Sequence, residues 1–431
     1  RPIRIALLGA GSVGSQVARL LIENREELAQ RVGADLELVG IAVRNLDSAR
    51  NGNLPKELLT LDAESLIKAA DIVIELIGGI EPAKSYISLA LNSGADVITA
   101  NKALIAAHGT ELFDLAEQLG AQLYFEAAVG GAIPIIRPLR ESLAGDKVNK
   151  VMGIVNGTTN FILDRMASTG ATFEDALAEA QQLGYAEADP TADVEGFDAA
   201  SKAAILASLA FHTEMPVESV YREGISQVTA LQIETAREAG YAVKLLAICE
   251  RVPASEGKAE GIVARVHPTL IPEDHPLAAV RGAYNAVFIE AESAGRLMFY
   301  GAGAGGPETA SAVLGDLVGA AKRHLAGGPG LADSVHANLD ILPVQAVSTR
   351  FQITLQVNDL PGVLASVATV FAQHGVSVET VDQNAAGNNS GALLTIMTHA
   401  ASEGELEAVV EDLRSNAAVQ KVNSVIRVEG I

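Results

Sequence analysis

The sequence predicts an α/β chain: a doubly wound parallel sheet, then an α+β domain, then a small βαββαβ sandwich. Three observations carry this. Short apolar runs alternate with helical periods from residue 3 to Leu119. Four strand-like runs lie between Tyr241 and Tyr300 without helices between them, and a fresh apolar/polar alternation opens at Phe351.

Ile3 to Leu8 form the first strand, followed at once by Gly9-Ala10-Gly11-Ser12-Val13-Gly14 and a helical pattern through Leu21. GxGxxG between a strand and a helix permits a tight turn, close approach of a pyrophosphate and close helix packing, with the helix N-terminus facing the phosphates. The domain is therefore Rossmann-like. A second strand, Leu36 to Val43, ends at Arg44, where such domains usually carry an acid for the ribose 2′-hydroxyl. A cation there suits a 2′-phosphate, so NADP is preferred and NAD is the alternative. The third strand, Asp71 to Ile77, leads through Gly78-Gly79 to a helix from Pro82 to Leu91. The fourth, Asp96 to Ala100, delivers Asn101 and Lys102 to the carboxyl edge of the sheet, where ligands bind. After a strand at Gln122 to Phe125, the turn from Glu126 to Pro134 is crowded with small residues. Its carbonyls and one carboxylate can coordinate a hard cation; a simple domain crossover is the plainer reading.

In the middle of the chain a strand at Asn149 to Val155 precedes Asn156-Gly157-Thr158-Thr159-Asn160 and a helix from Phe161 to Met166. Hydroxyls, amides and a helix N-terminus make a receptor for a carboxylate or carbonyl, or simply an N-cap. Helices at Phe173 to Leu183, Phe197 to Phe211 and Leu231 to Ala239 follow, with strands at Tyr241 to Cys249, Ile262 to Val266, Ala286 to Glu290 and Leu297 to Tyr300. The stretch Gly184 to Lys202 is the chemical centre: five acidic residues crowd it, and Asp198 and Lys202 are the only charges from Phe197 to Phe211. Four apart, they share a helical face whose uncharged surroundings place it in a cleft wall rather than in water. Gly301 to Gly306 form a second glycine loop before the helix Thr309 to Leu325, returning the chain to the nucleotide domain.

The expected domains are 1–135 for nucleotide binding, completed by about 301–325; 136–300 for substrate and dimerisation; a linker at 326–348; and a regulatory module at 349–431. In the last, Phe351 to Val357 alternate as a strand and Asn358 to Gly362 turn into a helix, Val363 to His374. Strands at Val376 to Asp382, Ala392 to His399 and Val419 to Val428, with a helix at Glu403 to Arg414, complete the sandwich. The turn DLPGVL resembles the ACT family of amino-acid-sensing modules.

With 431 residues, 49% hydrophobic and 19% charged, the chain is a folded, multidomain protein. Its formal charge of −22 disfavours nucleic acid and anionic membranes as partners. No apolar run reaches the roughly 18 residues of a membrane span, so a soluble, cytoplasmic protein is expected. The single cysteine, Cys249, lies in an apolar run and reads as core.

GAGSVG, TANK, EAAVGGAIPII, NGTTN, GYAEADPTADVEGFDAASK and GAGAGG, in this order and with an ACT-like tail, resemble bacterial homoserine dehydrogenases over nearly the whole chain. That family interconverts L-aspartate 4-semialdehyde and L-homoserine with a nicotinamide cofactor. The resemblance implies that Gly9, Gly11, Ser12, Val13, Gly14, Arg44, Lys102 and Gly305 border the cofactor. It implies that Glu187 and Asp198 hold the substrate, with Asp193 a further candidate, and that Lys202 is the acid/base, with Lys102 near enough to share that duty. Glu126, with the carbonyls of Val129, Gly131 and Ile133, matches the family's monovalent cation turn, and sodium is the cation expected. The tail implies threonine feedback, and the family a homodimer or homotetramer. Reduction suits a lysine, because negative charge gathers on the aldehyde oxygen as its carbon accepts hydride. Two rivals remain: an acylating semialdehyde dehydrogenase, which needs a cysteine nucleophile, and a non-catalytic amino-acid sensor.

Overall fold

The computed structural model describes residues 1–47, 54–328, 331–332, 335–385 and 391–430. Four residues of the expected linker, 329–330 and 333–334, lie outside the described residues. The chain divides into two compact units: Arg1–Gly157 with Ser201–Glu218 and Tyr284–Asn338, and Thr158–Ala200 with Ser219–Ala283 and Leu339–Ile431.

The first unit is built on six parallel strands, β1 (Ile3–Leu8), β2 (Leu36–Ala42), β3 (Leu59–Thr60), β4 (Ile72–Glu75), β5 (Asp96–Thr99) and β6 (Leu123–Tyr124). Their order is β3-β2-β1-β4-β5-β6, so the direction of winding reverses between β1 and β4 and opens a crevice at the carboxyl edge. Helices on both faces explain why β1 is apolar almost throughout instead of alternating. The helix Gly306–Ala326 returns to this sheet: Ala310, Val313, Leu317, Ala320 and Ala321 share a core with Ile5, Leu7, Val17 and Leu21. Three antiparallel strands, Val148–Ile154, Tyr284–Ala291 and Gly295–Ala302, complete the unit.

Two helices of the first unit escape the periodicity argument. Arg25–Val32 is half charged and buries only Leu28 and Val32. Ala63–Lys68 has six residues and depends on Asp62, whose carboxylate caps the Ser65 amide at 3.0 Å. Neither offers enough apolar turns to be read from sequence. A third difference matters for function: the helix expected at Phe161 begins at Gly157, so Thr158, Thr159 and Asn160 are its first turn and are buried.

In the second unit Tyr241–Val252 and Gly261–Pro272 pair antiparallel along their full lengths. Both outrun the expected strands because Glu250 and His267-Pro268 read as strand ends, whereas the pairing runs through them. Arg265 is fully buried, with Nη2 donating to Glu250 at 3.1 Å and Glu429 at 2.5 Å. The C-terminal module has the antiparallel order Val419–Val428, Ser348–Val357, Ala392–Thr398, Val378–Ala385, with helices Val363–Gln373 and Glu403–Ser415 closing one core. This is the ferredoxin-like arrangement. Its last strand also pairs in parallel with Gly261–Pro272, through Thr269 with Arg427 and Leu270 with Val428. Part of the expected linker is structured too: Asp340–Ile341 forms a strand beside Gly261 and Ile262. Among the described residues no helix is long and apolar enough to cross a membrane.

Arg427 joins the elements of this unit. Its guanidinium is hydrogen-bonded to Glu403, donates to Glu223 at 2.8 Å and to the Tyr221 hydroxyl at 3.2 Å. Burial pushes the Glu403 carboxyl upward and Arg427 opposes it. Breaking a buried pair by removing one partner costs far more than replacing both. Arg427→Met should therefore lower the opening free energy of the strand Val419–Val428, read by native-state hydrogen exchange, by about 3–5 kcal/mol. Arg427→Met with Glu403→Leu should recover most of it.

Candidate active site and cofactor cleft

The glycine turn owes its shape to two close approaches. Gly9 has φ +102°, and a Cβ on Gly14 would lie 2.1 Å from the Gly9 carbonyl oxygen. Gly14 therefore acts behind the turn, letting the helix Ser12–Glu23 start against it. Gly11 is the N-cap, has no atom within 4 Å of its missing Cβ, and no acidic residue occupies the first turn. The helix thus presents an uncompensated positive end. A cavity of about 570 Å³ opens there, lined by Gly9, Gly11, Val43 and Arg44 together with Leu61, Pro82 and Tyr86. Arg44 lies where the sequence places it. Leu61, Pro82 and Tyr86 were not foreseen, because they come from loops and a helix with no motif. Ser12 is exposed at the helix start, and its carbonyl would be 2.8 Å from a Cβ on Gly306; Gly305, φ +127°, is the N-cap of that second helix. Val13 is half-buried against the core of the sheet.

Lys102 owes its position to a hidden carboxylate. Glu75 has no exposed surface; one oxygen accepts from the amides of Ile77 (2.7 Å) and Gly78 (3.0 Å), the other from the Thr99 hydroxyl (2.6 Å). Thr99 in turn accepts from the Asn101 amide at 3.0 Å, and Asn101 donates to the Gly79 carbonyl at 2.6 Å and caps Leu104 at 3.2 Å. The ends of β4 and β5 are thereby tied together, and Lys102 opens the next helix, Lys102–Leu119, half-buried at the sheet edge.

On the helix Phe197–Phe211, Asp198 is 9% and Lys202 8% exposed, as the uncharged surroundings require. Lys202 Nζ donates to the Val155 carbonyl at 2.7 Å, the residue immediately before NGTTN. Thr158 Oγ1 donates to the Tyr185 carbonyl at 2.6 Å, fastening the start of the acidic stretch to the first turn of helix Gly157–Thr169. Along that stretch Glu187 is exposed, its carbonyl held by Gln181 Nε2 at 3.0 Å. Asp193 lies half-buried in the short helix Thr191–Val194. Asp189 caps Thr191 through amide and hydroxyl, which shapes the loop.

Glu126 is buried, and its two oxygens accept from the amides of Ile136 (3.0 Å) and Arg137 (2.8 Å). Asp316, unforeseen in the sequence, accepts from the Glu126 amide at 2.9 Å and the Arg137 guanidinium at 2.5 Å; burial pushes it up to about 7. Among the described residues no cluster of His, Cys, Asp and Glu suits a metal, so a cation here would depend on backbone oxygens. The turn fits: outside helices and strands, no described amide donates to the carbonyls of Val129, Gly131 or Ile133. Gly131, φ +56°, packs so tightly that its Cβ would lie 2.5 Å from Gly303. Cys249 is completely buried and pushed up to about 12 by burial, which suits core and not a nucleophile.

A switch-point crevice with a glycine turn at its mouth, in a chain that also buries a lysine on an apolar helix, defines a nicotinamide-dependent oxidoreductase. Residues 9–126 match the family model "Homoserine dehydrogenase, NAD binding domain", 134–318 match "Homoserine dehydrogenase", and 351–418 match "ACT domain". The chain belongs to the homoserine dehydrogenase family and interconverts L-homoserine and L-aspartate 4-semialdehyde. It is 55% identical to a homoserine dehydrogenase of Corynebacterium glutamicum, covering 99% of this chain and 96% of that one. A Mycobacterium tuberculosis homoserine dehydrogenase is 52% identical over 100% of this chain and 98% of its own. The crystal structure of a homoserine dehydrogenase from Thiobacillus denitrificans superposes with a TM-score of 0.92 at 42% identity, covering 100% and 98% of the two chains. A hyperthermophilic archaeal homoserine dehydrogenase in complex with NADPH has a TM-score of 0.63 at 29% identity, covering 76% and 99%.

Gly14→Ala should weaken nicotinamide dinucleotide binding about ten- to a hundredfold, the ~1–3 kcal/mol that overpacking costs. Fluorescence titration of the variant checks it, and the C-terminal module should keep its melting behaviour.

Proposed function

We propose that Lys202 transfers the proton in this reaction and that NADP is the preferred dinucleotide. The observation that carries the first part is the buried Lys202 ammonium, 2.7 Å from the carbonyl that precedes NGTTN. Bound at the glycine turn, the nicotinamide supplies the hydride. In the reducing direction charge gathers on the aldehyde oxygen, and an ammonium held at a fixed place stabilises and protonates it without reorganisation. In the reverse direction Lys202 receives the hydroxyl proton, and Lys102, at the sheet edge, shares the electrostatic duty. Asp198 and Glu187 take the substrate α-ammonium, with Asp193 beside them on the same stretch.

Arg44 on the cofactor cavity supports NADP, as does the archaeal relative that was solved with NADPH. Glu126 and the carbonyls of Val129, Gly131 and Ile133 hold a monovalent cation, sodium, which fixes the turn and stays outside the chemistry. Threonine is the effector at the ACT module, the enzyme is a homodimer or homotetramer, and it works in the cytoplasm in the biosynthesis of threonine, methionine and isoleucine.

In an assay following NADPH absorbance with L-aspartate 4-semialdehyde, Lys202→Ala should lower kcat by ~10² or more while cofactor affinity survives. A near-normal rate would move the role to Lys102. Arg44→Ala should weaken NADPH by about 10- to 100-fold, the value of a charge-assisted hydrogen bond, and leave NADH nearly untouched; equal losses would refute the preference.

A further inference from the structure

A cavity of about 740 Å³ in the second unit is lined by Asp164, Arg237, Tyr241, Lys244, Glu273 and Arg281, with Leu163, Ile233 and Val243 adding apolar surface. Small-molecule sites span about 300–1,000 Å³. Lys244 is its most deeply buried charge, 3% exposed. The Lys244 ammonium donates to the Val280 carbonyl at 2.6 Å and to Asn160 Oδ1 at 3.1 Å. An ammonium has three donors, so one is left over. Arg281 is paired with Asp164 at 3.0 Å. Among the described residues the side chains of Arg237 and Glu273 have no hydrogen-bond or ion-pair partner. One cavity thus combines a buried ammonium with a spare donor, an unpaired guanidinium, an unpaired carboxylate and an aliphatic wall.

We propose that this cavity binds an aliphatic α-amino acid, its carboxylate joining Lys244 and Arg237 and its ammonium joining Glu273, and that occupancy acts on the NGTTN turn through Asn160. The last step rests on the reading of NGTTN as part of the substrate receptor. Asn160 Nδ2 donates to the carbonyls of Val280 (3.2 Å) and Gly282 (2.8 Å), and Asp164, one turn on, accepts from the Gly282 amide at 2.8 Å. Lys244 therefore shares both of its acceptors with the clamp on the first turn of helix Gly157–Thr169. A carboxylate drawing the ammonium toward itself loosens that clamp.

Burial lowers Lys244 to about 8, Asp164 opposing and Arg281 reinforcing the shift. A bound carboxylate favours the charged lysine. Below the free-state value the lysine is already protonated and affinity is flat; above it binding must take up a proton, and affinity falls by up to about tenfold per pH unit.

The test is calorimetric titration of the full chain with L-valine, isovalerate and isobutylamine. L-valine should bind at least about tenfold more tightly than either fragment, the loss of one charged hydrogen bond. Arg237→Ala should weaken L-valine by about 10- to 100-fold at pH 7 and leave turnover without L-valine unchanged. Glu273→Gln should weaken L-valine and spare isovalerate. In the wild type L-valine should shift the KM for homoserine, and in Arg237→Ala it should not. No heat with L-valine up to about 10 mM, a Kd range of only ~3 kcal/mol, overturns the site. So does equal binding to wild type, Arg237→Ala and Lys244→Met, which would put the ligand elsewhere; Arg237→Ala alone decides if Lys244→Met fails to fold. Binding that leaves the KM unmoved overturns the coupling and, with it, the role given to NGTTN, while the cavity stands.

Discussion

Much of the first unit depends on one carboxylate that never meets water. Glu75 at the end of β4 accepts two backbone amides and a threonine hydroxyl, and through them fixes the turn after β4 and the end of β5. A buried ionised group is tolerable only when its lone pairs are satisfied by fixed donors. Here the donors are the chain segments that must stand still for a dinucleotide to lie across the sheet. The satisfaction of the charge and the preorganisation of the edge are the same set of bonds.

The same economy recurs where the acidic stretch meets NGTTN. Thr158 holds Tyr185, Lys202 holds Val155, and Lys244 holds Asn160. Each bond runs from a side chain to a partner distant in sequence, so a few short turns are fixed from several directions. For a chain with a formal charge of −22 the buried cations are used sparingly. Arg265 and Arg427 lie in one region of the second unit, each shared by more than one carboxylate.

The parallel sheet, the glycine turn and the βαββαβ tail were legible because their signals are local: a run of apolar residues, a spacing of glycines, an alternation. Lys202 and Asp198 were legible because charge is conspicuous in an apolar helix. Glu75 and Asp316 were not. Each is a lone carboxylate in an apolar run, and its meaning comes from partners that no spacing announces: the turn amides of Ile77 and Gly78 and the Thr99 hydroxyl for Glu75, the Glu126 amide and the Arg137 guanidinium for Asp316. Leu61 and Tyr86 border the cofactor cavity from two separate places, a βα connection and the helix Ala83–Asn92. The strand Gly261–Pro272 is longer than its local signal: His267 and Pro268 look like a terminus, yet the pairing with Tyr241–Val252 runs on to Pro272.

The chain contains one thiol, and it sits at the centre of the strand Tyr241–Val252 with no exposed surface. That arrangement makes Cys249 a built-in reporter. A thiol reagent can reach it only when this strand leaves its sheet, so the rate of modification counts openings of the second unit and is blind to motion at the glycine turn. The protein carries its own clock for breathing in that sheet, with no label to add and no second sulfhydryl to confuse the signal.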